Sequence, residues 1–313
     1  MKKVIFSIIG PTYTGKSKLA IDLSLKYPFE IISADSRLVY KGMDIGTSKP
    51  TLEERKNIPH YMIDLVEPNF NYSVGLYKKE AESLINNVFL RNKIPLFVGG
   101  TGLYLNSVLL GLSIPEINAD LSFRQELKNF TQDELYQRLQ ELDPEACKLI
   151  HNNDNFRTIR ALEIIYKTNE LYSKQRTVKT LPYDVFWIGL SYKDKNIYLE
   201  KIKNRTKDFC KNGFIEEVKF LLNKYGELDL FKNTIGYKEA INHIKGKTNK
   251  EKLIEEITLH TRQFAKRQMT WFRLNKNINW IYLDDISYKS ALDKAFSLIE
   301  DISFANTSKV SVS

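Results

Sequence analysis

Cysteine is scarce in this chain: Cys147 and Cys210 are the two in 313 residues, far apart and without a CxxC partner. That excludes a disulfide framework and a cysteine-built zinc site, and it fits a reducing compartment. Long apolar runs are missing too. None approaches the roughly 20 residues needed to cross a bilayer, so no transmembrane helix is expected. The opening MKKVIFSIIG carries a basic tip before an apolar run, as a secretion signal does. That run is short and leads straight into GPTYTGKS without a small-residue cleavage site, so the chain is expected to be soluble and cytoplasmic. The four histidines, His60, His151, His243 and His260, show no ligand spacing, and no catalytic role is expected of them.

What is present supports a sizeable core. Hydrophobic residues make up 42% and aromatic residues 12%, enough for one large core or a core with a satellite domain. With 47 Lys+Arg against 38 Asp+Glu, the net charge is +9. Such a surplus suits a polyanionic partner, although a solvated cationic surface explains it equally well.

Val4 to Ile9 reads as a short buried strand, and Lys18 to Lys26 as an amphipathic helix after a Gly-rich turn. Ile31, Ile32 and Ala34 form a second apolar run ending on Asp35. A helical pattern over Tyr77 to Leu90 precedes a third strand, Ile94 to Val98, which ends in Gly99-Gly100. Strands alternating with helices predict an α/β fold with a mostly parallel sheet. Ligands in such sheets sit at the carboxyl ends of the strands, where Gly10, Asp35 and Gly99 to Gly102 all fall. From about Pro115 to Pro182 strand signals fade, and helical patterns take over at Asp133 to Leu142 and Asn155 to Tyr166. A strand returns at Val185 to Leu190. Long helices follow at Ile197 to Lys211, Ile215 to Lys224 and Leu253 to Leu274, and a last strand at Trp280 to Leu283. The expected division is a P-loop core of residues 1–115 and 183–302, an all-helical insertion of 116–182, and a polar, frayed tail of 303–313.

Residues 10 to 17, Gly10-Pro11-Thr12-Tyr13-Thr14-Gly15-Lys16-Ser17, match GxxxxGK[ST] between a strand and a helix. Successive backbone N–H groups and the helix N-terminus point at phosphate oxygens, Lys16 supplies a point charge, and Ser17 is placed to hold Mg²⁺. A P-loop nucleotidase also wants an acidic residue ending a neighbouring strand. Here that strand ends in Gly99-Gly100-Thr101-Gly102 instead, so nothing argues for ATP hydrolysis. The glycines suit close backbone approach to a ligand, or a tight strand-to-helix turn. Asp284 and Asp285 are expected to be the polar end of an edge element. Asp35 would be repelled by a phosphate, so it either binds Mg²⁺, serves as acceptor and base for an incoming nucleophile, or caps a helix.

GPTYTGKS, ADSRLVYKGMDIGTSKP (34 to 50) and GGTGLY (99 to 104) together resemble the tRNA dimethylallyltransferase family, also called tRNA isopentenyltransferases. Arg157-Thr158-Ile159-Arg160-Ala161-Leu162-Glu163, Ile235-Gly236-Tyr237-Lys238-Glu239 and the run Thr261 to Arg273 extend the match in the family's order. Tyr13 and Thr14 depart from it, filling positions where small Ala and Ser are common. The resemblance implies a P-loop NTPase-like fold and a reaction. The N6 amine of an adenosine beside the anticodon attacks C1 of dimethylallyl diphosphate, and pyrophosphate leaves, with Mg²⁺ as cofactor. It implies that the P-loop holds this diphosphate, that Asp35 takes the N6 proton, and that Thr101 and Arg205 act on the donor. For RNA contact it implies Asp35, Ser36, Arg37, Leu38 and Thr101 in the core, with Lys238 beside Tyr237. It places the insertion, with Phe123, Arg124, Arg157 and Arg160, against the tRNA anticodon stem-loop.

The residues themselves add one pattern. On a helix, Arg262, Lys266, Met269 and Arg273 share a face, Arg267 widens the basic stripe, and Phe264 and Trp271 lie on another face that would dock the helix. That is a phosphate-tracking stripe or a solvated cationic helix. Tyr237 and Phe123 are expected either to stack on bases or to serve as core aromatics. Two other classes of function compete. A P-loop kinase of a small metabolite would leave the basic helix unexplained. A non-catalytic RNA-binding protein would need no Lys16, Ser17 and Asp35 together. A monomer is expected.

Overall fold

A computed structural model describes residues 2–308 other than 116, 118, 176 and 285, with backbone alone at 121 and 302–308. The chain runs β1 (Lys3–Ile9), α1 (Lys16–Ser24), β2 (Phe29–Ala34), β3 (His60–Tyr61), α2 (Val74–Leu90), β4 (Ile94–Gly99) and α3 (Gly102–Leu109). Five helices follow: α4 (Leu121–Leu127), α5 (Gln132–Leu142), α6 (Pro144–Cys147), α7 (Asn155–Thr168) and α8 (Tyr172–Gln175). Then come β5 (Tyr183–Ser191), α9 (Lys195–Lys211), α10 (Phe214–Tyr225), α11 (Asp229–Lys232), α12 (Tyr237–Ile244), α13 (Lys250–Phe272), β6 (Ile278–Tyr282) and α14 (Tyr288–Ser308).

Among the described residues six strands form one sheet in the order β3-β2-β4-β1-β5-β6, and each pairing between them is parallel. Parallel strands are buried on both faces, which is why they read as continuous apolar runs. Phe6, Ile8, Leu96, Val98, Ile188 and Leu190 pack on one side with Leu19 and Leu23 of α1 and Ala291, Ala295 and Ile299 of α14. Ile5, Ile9, Ile32 and Phe97 are buried on the alternate face. The strand β3 was not expected. Its two residues pair with Ile31 and Ile32 but carry no apolar run of their own. Helix α1 begins two residues earlier than the periodicity suggests, because Lys16 and Ser17 already belong to its first turn.

Two compact units result: residues 1–73, 79–105 and 182–313 hold the sheet, and residues 74–78 and 106–181 form the second. The second unit takes in residues 74–78 as well, and its longer segment begins at Asn106, ahead of residue 116 where the insertion was expected. Its core joins Leu127, Leu135, Leu139, Ile150, Leu162 and Ile165. Helix starts there are signalled locally: Thr131 and Glu134 form a capping box on α5, and Asp154 caps α7. The helix α14 continues to Ser308, so six residues of the expected tail are helical; residues 309–313 lie outside the described residues. No helix among the described residues is long and apolar enough to cross a membrane.

Candidate active site

Three adjacent strands, β2, β4 and β1, end at the same edge of the sheet, as their parallel register requires. They deliver Asp35, the turn Gly100-Thr101, and the loop Gly10 to Gly15. The loop passes so close to β5 that a Cβ on Gly10, which sits at φ 149, would lie 2.2 Å from the Leu190 carbonyl oxygen. Only glycine fits there. Inside the loop the Pro11 carbonyl accepts from Thr14 Oγ1 at 2.9 Å and from Lys16 Nζ at 2.8 Å. Thr12 is held from two helices. Its carbonyl accepts from Tyr198 Oη of α9 at 2.6 Å, and its N–H donates to Gln268 Oε1 of α13 at 3.1 Å.

Asp35 Oδ1 accepts the Arg37 N–H at 2.8 Å, an Asx turn that fixes the carboxylate's rotamer. Thr101 Oγ1 accepts the Ser36 N–H at 3.0 Å, and the Thr101 N–H donates to the Ala34 carbonyl at 3.0 Å. Accepting that bond leaves the Thr101 hydroxyl its own proton to give to a ligand. Burial lowers the Lys16 ammonium to a pKa of about 8, and the nearby Asp35 carboxylate pushes it back up. The Tyr13 phenol is raised to about 12 by burial, against the pull of the Arg205 guanidinium. Lys16 with Asp35 and Tyr13 with Arg205 are thus electrostatic neighbours. The site presents a helix N-terminus, two cations, a carboxylate and a hydroxyl: a binder of phosphates with an acceptor for a proton beside it.

A family model described as IPP transferase matches residues 38–275. The chain belongs to the IPP transferase family. It is 41% identical to a tRNA dimethylallyltransferase of Caldanaerobacter subterraneus subsp. tengcongensis, over 94% of this chain and 97% of that one. The solved tRNA isopentenylpyrophosphate transferase of Bacillus halodurans is 33% identical and covers 99% of each chain, with a TM-score of 0.73. A solved eukaryotic dimethylallyltransferase acting on tRNA is 28% identical, covers 97% of this chain and 80% of that one, and has a TM-score of 0.83.

For an IPP transferase the placement of the remaining expected residues is uneven. Arg262, Lys266, Arg267 and Arg273 are exposed on α13, but the helix docks by Leu253, Ile257, Thr261, Ala265, Gln268 and Phe272. Phe264, expected on the docking face, is exposed and lies under Arg267. Trp271 is half-buried, with its indole against Gly102. Leu38 is buried, while Ser36 and Arg37 are partly exposed. Arg205 and Lys238 are exposed.

Tyr237 offers no face to a base. It is fully buried, and its hydroxyl donates to Glu217 Oε1 at 2.6 Å. Glu217 also accepts the N–H groups of Asp44, Ile45 and Gly46 at 2.9, 2.6 and 3.2 Å. Of the two readings open for Tyr237, the structure gives the core aromatic: the tyrosine and Glu217 clamp the loop that follows Asp35. In the second unit, Arg124 and Arg160 reach the fully buried Glu163 at 2.8 and 2.5 Å. Phe123 is partly buried against the unit's core and the Tyr166 ring. Arg157 is half exposed, beside Asp154 at 3.3 Å. Asp284 accepts the N–H groups of Lys193 and Asp194, both at 2.8 Å, so it caps a loop; Asp285 lies outside the described residues. Sequence reasoning gave no role of its own to Gln268 or to Glu217. The available signal was a polar residue on the buried stripe of α13 in one case, and a glutamate at the start of α10 in the other.

Proposed function

We propose that this tRNA dimethylallyltransferase prenylates N6 of the adenosine adjacent to the anticodon, position 37, using dimethylallyl diphosphate and releasing pyrophosphate. The carrying observation is the meeting of Lys16 and Asp35 at one sheet edge: a cradle for the leaving group and an acceptor for the nucleophile's proton. Residues Gly10 to Ser17 hold the diphosphate through backbone N–H groups and Lys16. The N6 nitrogen bonds C1, the C1–O bond breaks with its electrons on pyrophosphate, and the N6 proton passes to Asp35. Charge grows on the leaving diphosphate, where Lys16, Arg205 and the loop's N–H groups stabilise it, and the Thr101 hydroxyl donates a hydrogen bond to it. Among the described residues no three His, Cys, Asp or Glu side chains cluster as a metal cage. That fits Mg²⁺, which is commonly held by few protein groups together with substrate phosphates. Ser17 would hold it, and the ion would neutralise diphosphate charge. The anticodon stem-loop is the partner proposed for the exposed cations of α13, with Ser36 and Arg37 nearest the base. In the second unit Arg157 is the exposed arginine proposed to meet phosphate. The working form is a monomer.

The test uses purified protein, unmodified tRNA, dimethylallyl diphosphate and Mg²⁺, followed by nucleoside mass spectrometry, with ATP replacing the donor in parallel. One adenosine per tRNA heavier by a dimethylallyl group, absent with ATP, is expected. Turnover of ATP with unmodified adenosine would return the chain to a kinase. Asp35→Asn should cut turnover far more than donor binding, and equal losses in both would remove the proton-accepting role.

A further inference from the structure

Gln268 is buried, 6% exposed, on a face of α13 that is otherwise apolar or small. A buried primary amide is costly unless its donor and acceptor are both used. Both are used here, on backbone groups of two different loops. Oε1 accepts the Thr12 N–H of the P-loop at 3.1 Å, and Nε2 donates to the Gly100 carbonyl at 2.9 Å. The second loop is shaped around the amide: a Cβ on Gly100 would sit 2.2 Å from Nε2. The Gly100 turn leads into Thr101, which bonds Ser36 beside Asp35. One side chain therefore spans the leaving-group side of the site and the nucleophile side. It also occupies the Thr12 N–H, so diphosphate recognition falls to the N–H groups later in the loop.

From this we infer that Gln268 is a positioning residue, which sets the spacing between the diphosphate cradle and the Asp35–Thr101 side of the site. It touches neither substrate in this role. The inference rests on the prenyl-transfer reading above. Its consequence is a defect in the chemical step with donor binding preserved, because the cradle survives while its alignment with the incoming amine does not.

Two substitutions break the tie from opposite ends. Gln268→Met removes both hydrogen bonds at similar volume, and Gly100→Ala leaves Gln268 in place but drives its amide off the seat. With saturating tRNA and donor, each should lower the single-turnover rate of prenyl transfer by about 100-fold, the scale of a 1 Å misplacement. The Kd for dimethylallyl diphosphate, measured by calorimetry, should stay within about threefold of wild type, since donor affinity is not what the tie supplies. The double variant should be no slower than the worse single, because both remove one interaction. Single-turnover rates per active site equal to wild type in both variants, with only a lower active fraction or melting temperature, would overturn the inference in favour of a structural amide. Additive losses would overturn it as well. If Gln268→Met fails to fold, Gly100→Ala and its donor Kd decide alone. Wild-type protein that transfers nothing would instead sink the prenyl-transfer reading, and this inference with it.

Discussion

Arginines on α7 and α13 look alike in the sequence and meet opposite fates. On α7, Arg160 sits one turn before Glu163 and, with Arg124 of α4, closes on that carboxylate. On α13, no acidic residue occurs from Thr258 to Leu274, and Arg262, Lys266 and Arg273 stay exposed. The first set acts as a bolt for its unit; the second leaves its charge facing solvent. What separates them is a carboxylate within reach, and a helical i,i+3 spacing is one way to supply it. Counting basic residues cannot distinguish the two.

The comparison breaks most visibly at Glu163. Glu163→Ala leaves two guanidinium groups without their buried partner, and removing one member of such a pair costs about 3–5 kcal/mol. Loss of the second unit's cooperative unfolding, followed by hydrogen exchange, is the check. The two arginines and the Asp120 N–H hold the Glu163 carboxyl at about 2 despite burial, below its ordinary value. A depressed folded pKa gives stability that is present above the unfolded value and lost as pH falls toward 2. Acid titration should therefore loosen the second unit in wild type and have a smaller effect in Glu163→Ala.

The converse change is on α13. Replacing Arg262, Lys266 and Arg273 together by Ala should weaken tRNA binding by tenfold or more. The slope of log K against log salt should fall by roughly 0.7–0.9 per lost phosphate contact, with little change in thermal stability. Arg124→Ala with Arg160→Ala should do the reverse, and a large loss of salt slope there would collapse the distinction. Lys16 is a third case, a cation lowered to about 8 by burial. Since kcat/KM reports the free enzyme, kcat/KM for dimethylallyl diphosphate should fall as pH rises above 8 and the ammonium discharges. A flat profile to pH 9.5 would dissociate Lys16 from the donor. The smallest effect is expected at Arg157, half exposed beside Asp154. Arg157→Ala should change stability by less than about 0.5 kcal/mol, as surface substitutions do, and lower the salt slope by one contact's worth, roughly 0.7–0.9.

The strand ends, the P-loop and the order of the elements were legible because each is a local pattern: an apolar run, a glycine turn, a helix start. Family membership was legible in the quoted motifs. Long-range partners were not legible. Tyr237 reads equally as a stacking or a core aromatic until Glu217 and the backbone of residues 44–46 are folded onto it. Gln268 escaped for another reason. The buried stripe Thr261, Ala265, Gln268 and Phe272 has the spacing four, three, four of the basic stripe, displaced by one residue. Two of its four members are polar, so periodicity alone favours Phe264 and Trp271 for the docking face. Only the register of α13 against the sheet decides which stripe goes in.

The central strand β1 takes β4 on one side and β5 on the other, and its register with β5 joins Lys3 to Tyr183 and Ile9 to Gly189. On a ribosome, the strand leading into the P-loop is made first and waits for its second neighbour until most of the chain exists. By then all of residues 106–181 have been made, and they draw on local contacts that close early. Stalling translation once residue 181 has cleared the ribosomal exit tunnel should leave a nascent chain whose second unit resists protease while its P-loop segment is cut. Release of the full chain, with Tyr198 and Gln268 in place on Thr12, should protect both. The order of synthesis thus gives the P-loop edge its second flanking strand only after the helical unit has been made.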